Sequence, residues 1–357
     1  MQLLSVLVAS LIWHRPVSAA KIILKDLAKP RFFGTAANTS YLFHDRNYTR
    51  VAATQFSIFT PEDENDVSAK VKWGEIEPLP NIFNFTAADE IVEFAEAREA
   101  KIRGHNFMWS VVHIPLVFIT DLMLVQRHIH LAPWVNDSLS ATELDAALKN
   151  HISKIMDHYR GRLYAWDVIN EIISDTPANG TFKDTIWTRK FGGLNAMKKA
   201  LSYAREADPQ PKLYYNDYDI EGFNDKSNAL YEIVKSLQND GIPLDAIGFQ
   251  SHFKLGQVPP NIRENLQRFA DLDLDVAITE LDVDLGGPAN ASALAQQAKD
   301  YHEIVSACLA VERCVSVTVW GISDDLSWLP GSGALPWDGE KQAKPAFFAM
   351  ADAFKGV

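Results

Sequence analysis

"YAWDVINE", Tyr164 to Glu171, decides how the rest of this chain is read. It is aromatic and β-branched through Ile169, then closes on Asn170 and Glu171. Strict apolar–polar alternation is missing, as expected of a strand buried on both faces. A glutamate at the end of such a strand is costly unless it is paired or used.

Seven other segments share this form: "RFFGTAA", "ATQFSIFT", "KIRGHNFMW", "KLYYNDY", "AIGFQSH", "VAITELDV" and "VTVWGIS". Helical patterns lie between them, over Ala87 to Ala100, Ser140 to Tyr159, Asp225 to Asp240, Ile262 to Asp271 and Ser292 to Val311. The second of these opens on a capping box, Ser140 with Glu143, and is stopped by Gly161. Eight strand–helix units predict an α/β fold, a single (β/α)8 TIM barrel. No linker, low-complexity segment or internal repeat divides it.

Most of these strands end in residues that do chemistry: His105 and Asn106, Asn170 and Glu171, Asn216 and Asp217, Gln250 and His252, Glu280 and Asp282, and Trp320. In a barrel those ends share one face, where active sites sit.

The 357 residues carry a formal net charge of −12, which repels phosphate backbones and argues against a nucleic-acid partner. A neutral or weakly charged substrate fits better. The opening "MQLLSVLVASLIWHRPVSAA" reads as a signal peptide over residues 1–19, with the barrel in 20–357. A buried N-terminal helix is the alternative. Asn38, Asn47, Asn84, Asn136, Asn179 and Asn290 each begin an Asn-x-Ser/Thr glycosylation pattern, and together they favour a secreted, extracellular protein. Cys308 and Cys314 are the two cysteines; their spacing in a secreted chain suggests one disulfide, with two buried thiols as the alternative.

Glu171 and Glu280 on one rim suit work on a glycosidic bond, with one carboxyl protonated and the other ionised. Asn170 could hydrogen-bond a sugar 2-hydroxyl, and His252 and Asp282 could keep Glu280 ionised. A metal-dependent hydrolase stays open as the rival reading, because a barrel can gather distant ligands. No helical His pair brackets a glutamate, and neither Gly-Gly pair sits in a phosphate-cradling loop. Of the tryptophans, Trp73 and Trp187 read as core. Trp320, Trp328 and Trp337 bunch in a Gly/Pro-rich stretch, where stacking on sugar rings is expected.

"WDVINE", "AIGFQSHF", "AITELDV", "RGHNFMW" and "VTVWGIS" together resemble glycoside hydrolase family 10, the endo-1,4-β-xylanases, over about Leu24 to Phe354. The resemblance implies a retaining double displacement on the xylan backbone, with Glu171 as acid/base and Glu280 as nucleophile. It implies that Asn170 contacts the sugar 2-hydroxyl and that His252 and Asp282 support Glu280. Gln250, Trp320 and Trp328 would line the glycone side, with Glu62 and Lys72 one sugar further out. It pairs Cys308 with Cys314 and implies no metal or organic cofactor. The expected partner is a polysaccharide, xylan or its oligosaccharides, with no nucleic acid and no membrane; the chain is expected to be a monomer.

Two stretches depart from the family pattern. About Asp63–Ala69 is extra between Glu62 and Lys72, which leaves a sugar-binding asparagine unassigned, with Asn65 a candidate. The 18 residues from Ser110 to Arg127 separate "RGHNFMW" from "HIHLAPWV". Without them His128 would follow Trp109 directly, as the histidine on the bound sugar, and Trp134 would line its pocket. The stretch is nearly all apolar at a position where loops are polar, and it reads as translated intron sequence; a genuine loop is the alternative. A β-1,4-glucanase or exo-glucanase on the same barrel, or a barrel that binds sugar with impaired catalysis, are the other functional readings.

Overall fold

The computed structural model describes residues 22–62, 72–109 and 131–356. The expected signal segment, both departures from the family pattern, Asn65 and His128 lie outside the described residues.

Nine strands are present among the described residues: β1 Phe32–Ala37, β2 Ile58–Pro61, β3 Lys101–Trp109, β4 Ala165–Asn170, β5 Lys212–Asp217, β6 Ala246–Phe249, β7 His252–Lys254, β8 Asp275–Asp284 and β9 Cys314–Val319. Eight close a parallel ring. Neighbours pair in order from β1 to β6, β6 pairs with β8, β8 with β9, and β9 returns to β1. The short β7 lies outside the ring and pairs only with the end of β8. The (β/α)8 barrel expected from the sequence is therefore the fold.

The helices account for the core. Arg46–Gln55, Thr86–Glu96, Ala141–His158, Gly193–Ala207, Asp225–Asn239, Ile262–Ala270, Ala291–Leu309 and Pro345–Lys355 alternate with the ring strands. Each buries one apolar stripe against the strands, and the main core lies in that shell. The capping box holds: the Ser140 hydroxyl accepts from the Glu143 amide at 3.2 Å, and the Glu143 carboxylate accepts from the Ser140 amide at 2.8 Å. "ATQFSIFT" is a correction to the sequence reading. Its first residues belong to the helix Arg46–Gln55, and only Ile58–Pro61 is strand. Gln55 is kept helical because its side chain is spent on the Leu24 amide at 3.0 Å. "AIGFQSH" is likewise split into β6 and β7.

Cys308, at the end of Ala291–Leu309, is bonded to Cys314, which opens β9. So short a closed loop adds about 2 kcal/mol in the chain-entropy picture. Arg31 finishes the corner by donating to the carbonyls of Leu309, Val311 and Cys314. Among the described residues no helix is long and apolar enough to cross a membrane.

Four strands carry bulges; β9 has one extra residue against β8 between Cys314 and Ser316. β3 has one extra residue against β4 between His105 and Met108, β4 one against β5 between Asp167 and Ile169, and β8 one against β9 between Ile278 and Leu281. A bulge re-aims the side chains that follow it. Trp109, Asn170, Glu171 and Asp282 all follow one.

β3 approaches β4 closely at Gly104. A Cβ there would stand 2.1 Å from the Trp166 ring, which is itself stacked on Phe107 at 4.3 Å. Gly104→Ala is expected to lower stability by about 1–3 kcal/mol, as overpacking does. Urea unfolding followed by Trp fluorescence checks this; an unchanged midpoint would show that the ring can yield.

Candidate active site

Of the polar groups expected at the strand ends, Asn170, Glu171, Asn216, Gln250, His252, Glu280 and Asp282 are joined by side-chain hydrogen bonds on one rim. Glu280 sits within β8, buried, and its backbone amide donates to the Gln250 carbonyl at 2.9 Å. Its Oε1 accepts from Asn216 Nδ2 at 2.6 Å, and its Oε2 faces His252 Nε2 at 3.3 Å. The other ring nitrogen of His252 lies 2.9 Å from Asp282 Oδ2, which also accepts from Trp328 Nε1 at 2.7 Å. Burial alone would push the Glu280 carboxyl up. The His252 hydrogen bond, the charges of His105 and His252 and the Asn216 amide outweigh it and hold it at about 2. Burial also opposes charge on His252. Asp282 and Glu280 outweigh that too and hold the imidazole well above its ordinary range.

Glu171 stands across the rim, partly exposed. Its backbone takes φ +59°, a left-handed conformation unusual outside glycine, and its amide donates to the Asn216 carbonyl at 2.9 Å. Backbone strain of this kind persists where surroundings over-determine it, typically at functional sites. Among the described residues, three side-chain N–H groups reach the carboxylate. Trp109 Nε1 donates to Oε2 at 2.8 Å, and Gln250 Nε2 and Asn170 Nδ2 donate to Oε1 at 2.8 and 3.0 Å. The two glutamates are joined through amides: Asn216 Nδ2 also donates to Asn170 Oδ1 at 2.8 Å.

Aromatic rings wall the rim. Trp320 meets His105 edge-on at 5.4 Å, and Trp328 meets His252 at 5.0 Å. Lys72 is buried with its Nζ 5.0 Å from the Trp109 ring centre. Glu62 is buried just past β2, its amide on the Ala37 carbonyl at 3.0 Å. Trp134 donates to the Glu77 carbonyl at 3.1 Å and lies 6.3 Å from Trp73. Trp73 and Trp187 are core, as the sequence predicts.

Two readings are corrected. Trp337 is not a sugar platform: it is 3% exposed, packed between Phe56 and Phe347 under the helix Pro345–Lys355. Asn38 is not a glycosylation site in the folded chain: it is 1% exposed, and its Oδ1 caps the next helix by accepting from the Ser40 amide at 2.9 Å. Its enclosed Nδ2, the atom a glycan needs, is out of reach. Asn47, Asn84 and Asn290 are exposed.

A layer beneath the rim escaped the sequence reading. Arg103 pairs with Asp167 through Nε at 3.0 Å and through Nη2, and Asp167 Oδ2 takes His105 Nδ1 at 2.9 Å. Arg103 and Asp167 are charged residues inside segments already read as buried strands, "KIRGHNFMW" and "YAWDVINE". That mismatch was the available signal. Among the described residues no group of three or more His, Cys, Asp or Glu is arranged to hold a metal.

The glycosyl hydrolase family 10 model matches residues 23–353. An endo-1,4-β-xylanase of Agaricus bisporus is 36% identical over 92% of each chain. The crystal structure of native xylanase 10B from Thermotoga maritima superposes with a TM-score of 0.82 at 33% identity, covering 94% of this chain and 98% of that one. Xylanase 10B from Thermotoga petrophila RKU-1, solved with xylobiose, gives the same TM-score, identity and coverage.

One buried acid beside the site sets a pH test. Glu221 accepts from the Ser251 amide at 2.7 Å, next to His252. Burial pushes its carboxyl from 4.5 up to about 7, against the pull of that amide. Glu221 therefore holds its proton more tightly folded than unfolded, and stability falls as pH rises through that window. Glu221→Gln keeps the acceptor and removes the titration. The melting temperature of the variant minus that of the parent is expected to grow between pH 5 and 8. A constant difference would refute the raised carboxyl.

Proposed function

The chain belongs to glycosyl hydrolase family 10, and we propose that it is a secreted, retaining endo-1,4-β-xylanase with Glu171 as acid/base and Glu280 as nucleophile. The observation that carries this is the contrast between the two carboxyls. Glu280 is buried yet held ionised by His252 and Asn216. Glu171 is partly exposed at the opposite side of the rim, where a leaving oxygen and then a water can reach it.

In the first step the Glu280 carboxylate attacks the anomeric carbon. The glycosidic C–O bond breaks, and Glu171 gives its proton to the departing oxygen. In the second, the Glu171 carboxylate takes a proton from water, the hydroxide forms the new bond to the anomeric carbon, and the ester to Glu280 breaks. Two inversions leave the β configuration. Asn170, steered by Asn216, is the group for the 2-hydroxyl of the sugar being cleaved. Tryptophan faces and neutral amides suit an uncharged pentose polymer. The apolar N-terminal stretch and the exposed Asn47, Asn84 and Asn290 support passage through the secretory route.

Expressed with its leader in a eukaryotic host, the chain is expected to release reducing ends from xylan in the medium, with the β anomer appearing first by proton NMR. Glu171→Ala is expected to lose about a hundred- to ten-thousandfold in rate and to regain turnover of activated aryl xylobiosides with azide. Glu280→Ala is expected to lose hydrolysis and, with azide and an activated aryl xylobioside, to give the α-glycosyl azide, where Glu171→Ala gives the β-azide. An α product first, or faster hydrolysis of carboxymethyl cellulose than of xylan, would overturn the mechanism or the substrate.

Both flanks of residues 110–130 meet one aromatic cluster. The Trp109 carbonyl accepts from Trp187 Nε1 at 3.2 Å, Trp187 stacks on Trp73 at 5.6 Å, and Trp73 meets Trp134. A short connection suits flanks anchored on one cluster. Deleting Ser110 to Arg127 is therefore expected to leave a folded chain and to raise xylan hydrolysis by up to about a hundredfold, the scale of a 1 Å misplacement. Equal activity with the stretch present would make it a tolerated loop.

A further inference from the structure

Five large apolar side chains stand exposed among the described residues, and two of them, Leu79 at 60% and Ile82 at 57%, lie in one turn. Pro78 and Pro80 are exposed beside them, so "PLPNI", Pro78 to Ile82, has an apolar tip. Single exposed apolar residues are ordinary, whereas a contiguous group marks an interaction surface. The tip is held in shape. Leu79 and Ile82 face each other across it, and the Ile82 amide donates to the Leu79 carbonyl at 3.0 Å. Asn81 takes φ +63°; its amide donates to Glu77 Oε1 at 2.9 Å, and its Oδ1 accepts from Asn150 Nδ2 at 3.1 Å.

The chain leaves this turn as "FNFT", Phe83 to Thr86. Phe83 and Phe85 stack on one another at 5.8 Å. Phe83 lies 6.2 Å from His151 and Phe85 3.9 Å from His158, both on the helix Ala141–His158. Alternate residues of an extended segment share a face. Phe83 and Phe85 take the inner face, so Ile82 and Asn84 share the outer one, about 7 Å apart along the chain. Asn84 is exposed and opens the pattern Asn84-Phe85-Thr86. Its Oδ1 accepts from the Thr86 amide at 3.1 Å, which leaves Nδ2 uncommitted among the described residues. The reverse holds at Asn38, whose Nδ2 is enclosed.

We propose that Asn84 carries an N-linked glycan whose first N-acetylglucosamine lies on Ile82 and Leu79 and seals this turn. The proposal rests on the reading of the chain as secreted. In the transfer, Asn84 Nδ2 bonds to the anomeric carbon of an oligosaccharide carried on a lipid pyrophosphate. The bond from that carbon to the pyrophosphate oxygen breaks, Nδ2 gives up a proton, and the lipid pyrophosphate leaves. The attached sugar is amphipathic. Its C–H face and N-acetyl methyl cover the two aliphatic side chains, and its hydroxyls stay in water. A turn already fixed by Glu77 and Asn150 loses little further freedom when the sugar settles. The effect reaches the wall of the cleft, because Glu77 also meets His151 through its other oxygen at 2.8 Å and Trp134 through its carbonyl.

Secreted from a eukaryotic host, the protein is expected to carry glycan on Asn84 by glycopeptide mass spectrometry. Thr86→Ala abolishes the pattern and leaves Asn84 in place. It is expected to speed hydrogen exchange at the Asn81 and Ile82 amides about threefold and to lower the melting temperature by about 1–2 °C. Trimming the parent's glycan to its first sugar is expected to change neither. In a Leu79→Ser/Ile82→Ser background the sugar has lost its seat, and Thr86→Ala is expected to have no effect. Equal losses in both backgrounds, or a bare Asn84 beside occupied Asn47 or Asn290, would overturn the proposal. A secreted chain with no glycan at any of these sites would overturn it too, and a chain that never reaches the medium would remove the secretory reading itself.

Discussion

One side-chain amide, that of Asn216, carries the site. It is fully buried and spends both ends. Its nitrogen donates to Glu280 and to Asn170; its oxygen accepts from Thr279 Oγ1 at 2.7 Å and from Arg103 Nη2 at 3.2 Å. Turning the amide over would set its nitrogen against the Arg103 donor and its oxygen against the Glu280 carboxylate, so its sense is fixed by charge as well as by bonding. Gly248 makes the space, since a Cβ there would lie 2.4 Å from the Asn216 oxygen. The layer below follows from this. Arg103 must be charged to hold the amide, Asp167 must be present to make a buried Arg103 tolerable, and His105 takes the remaining Asp167 oxygen. A buried network of this sort stabilises only when every member is satisfied.

The barrel was legible because its strands are short apolar segments that end on polar groups, a pattern set by burial on both faces and by one shared rim. The capping box at Ser140 and the bridge between Cys308 and Cys314 were legible for local reasons. What could not be read depended on packing between distant segments. "ATQFSIFT" has the composition of a strand, yet tertiary demand on Gln55 keeps its first turn helical. "SWLPGSGALPWDG" has the composition of an exposed loop, yet Trp337 is drawn under the last helix by Phe56 and Phe347. The Asn38 pattern is sound chemistry for glycosylation, but nothing local says that its amide is buried. The roles of Glu171 and Glu280 came from resemblance to a family. The residues alone left a metal-dependent hydrolase open.

The two glutamates are served by different parts of the ring, and this divides what each can tolerate. Glu280 is held from β5 and from β7 and β8, whose ends are packed and described throughout. Glu171 is held from β3, from β4 and from Gln250 just past β6, and Trp109 is among its donors. Trp109 is the last described residue before the apolar stretch that departs from the family pattern. Its ring bonds Glu171 and its carbonyl bonds Trp187, so it is tied at both ends to groups outside its own strand. Disturbance at Trp109 therefore reaches Glu171 through their hydrogen bond, while Asn170 and Gln250 continue to hold the other carboxylate oxygen. Glu280 shares no donor with that strand except through Asn216 and Arg103, two bonds deeper in the barrel. Damage from the extra stretch should fall on proton transfer to the leaving group before it falls on the nucleophile. A chain carrying the stretch would then spare substrates that leave without a proton, a pattern that tells a misplaced Trp109 from a collapsed site.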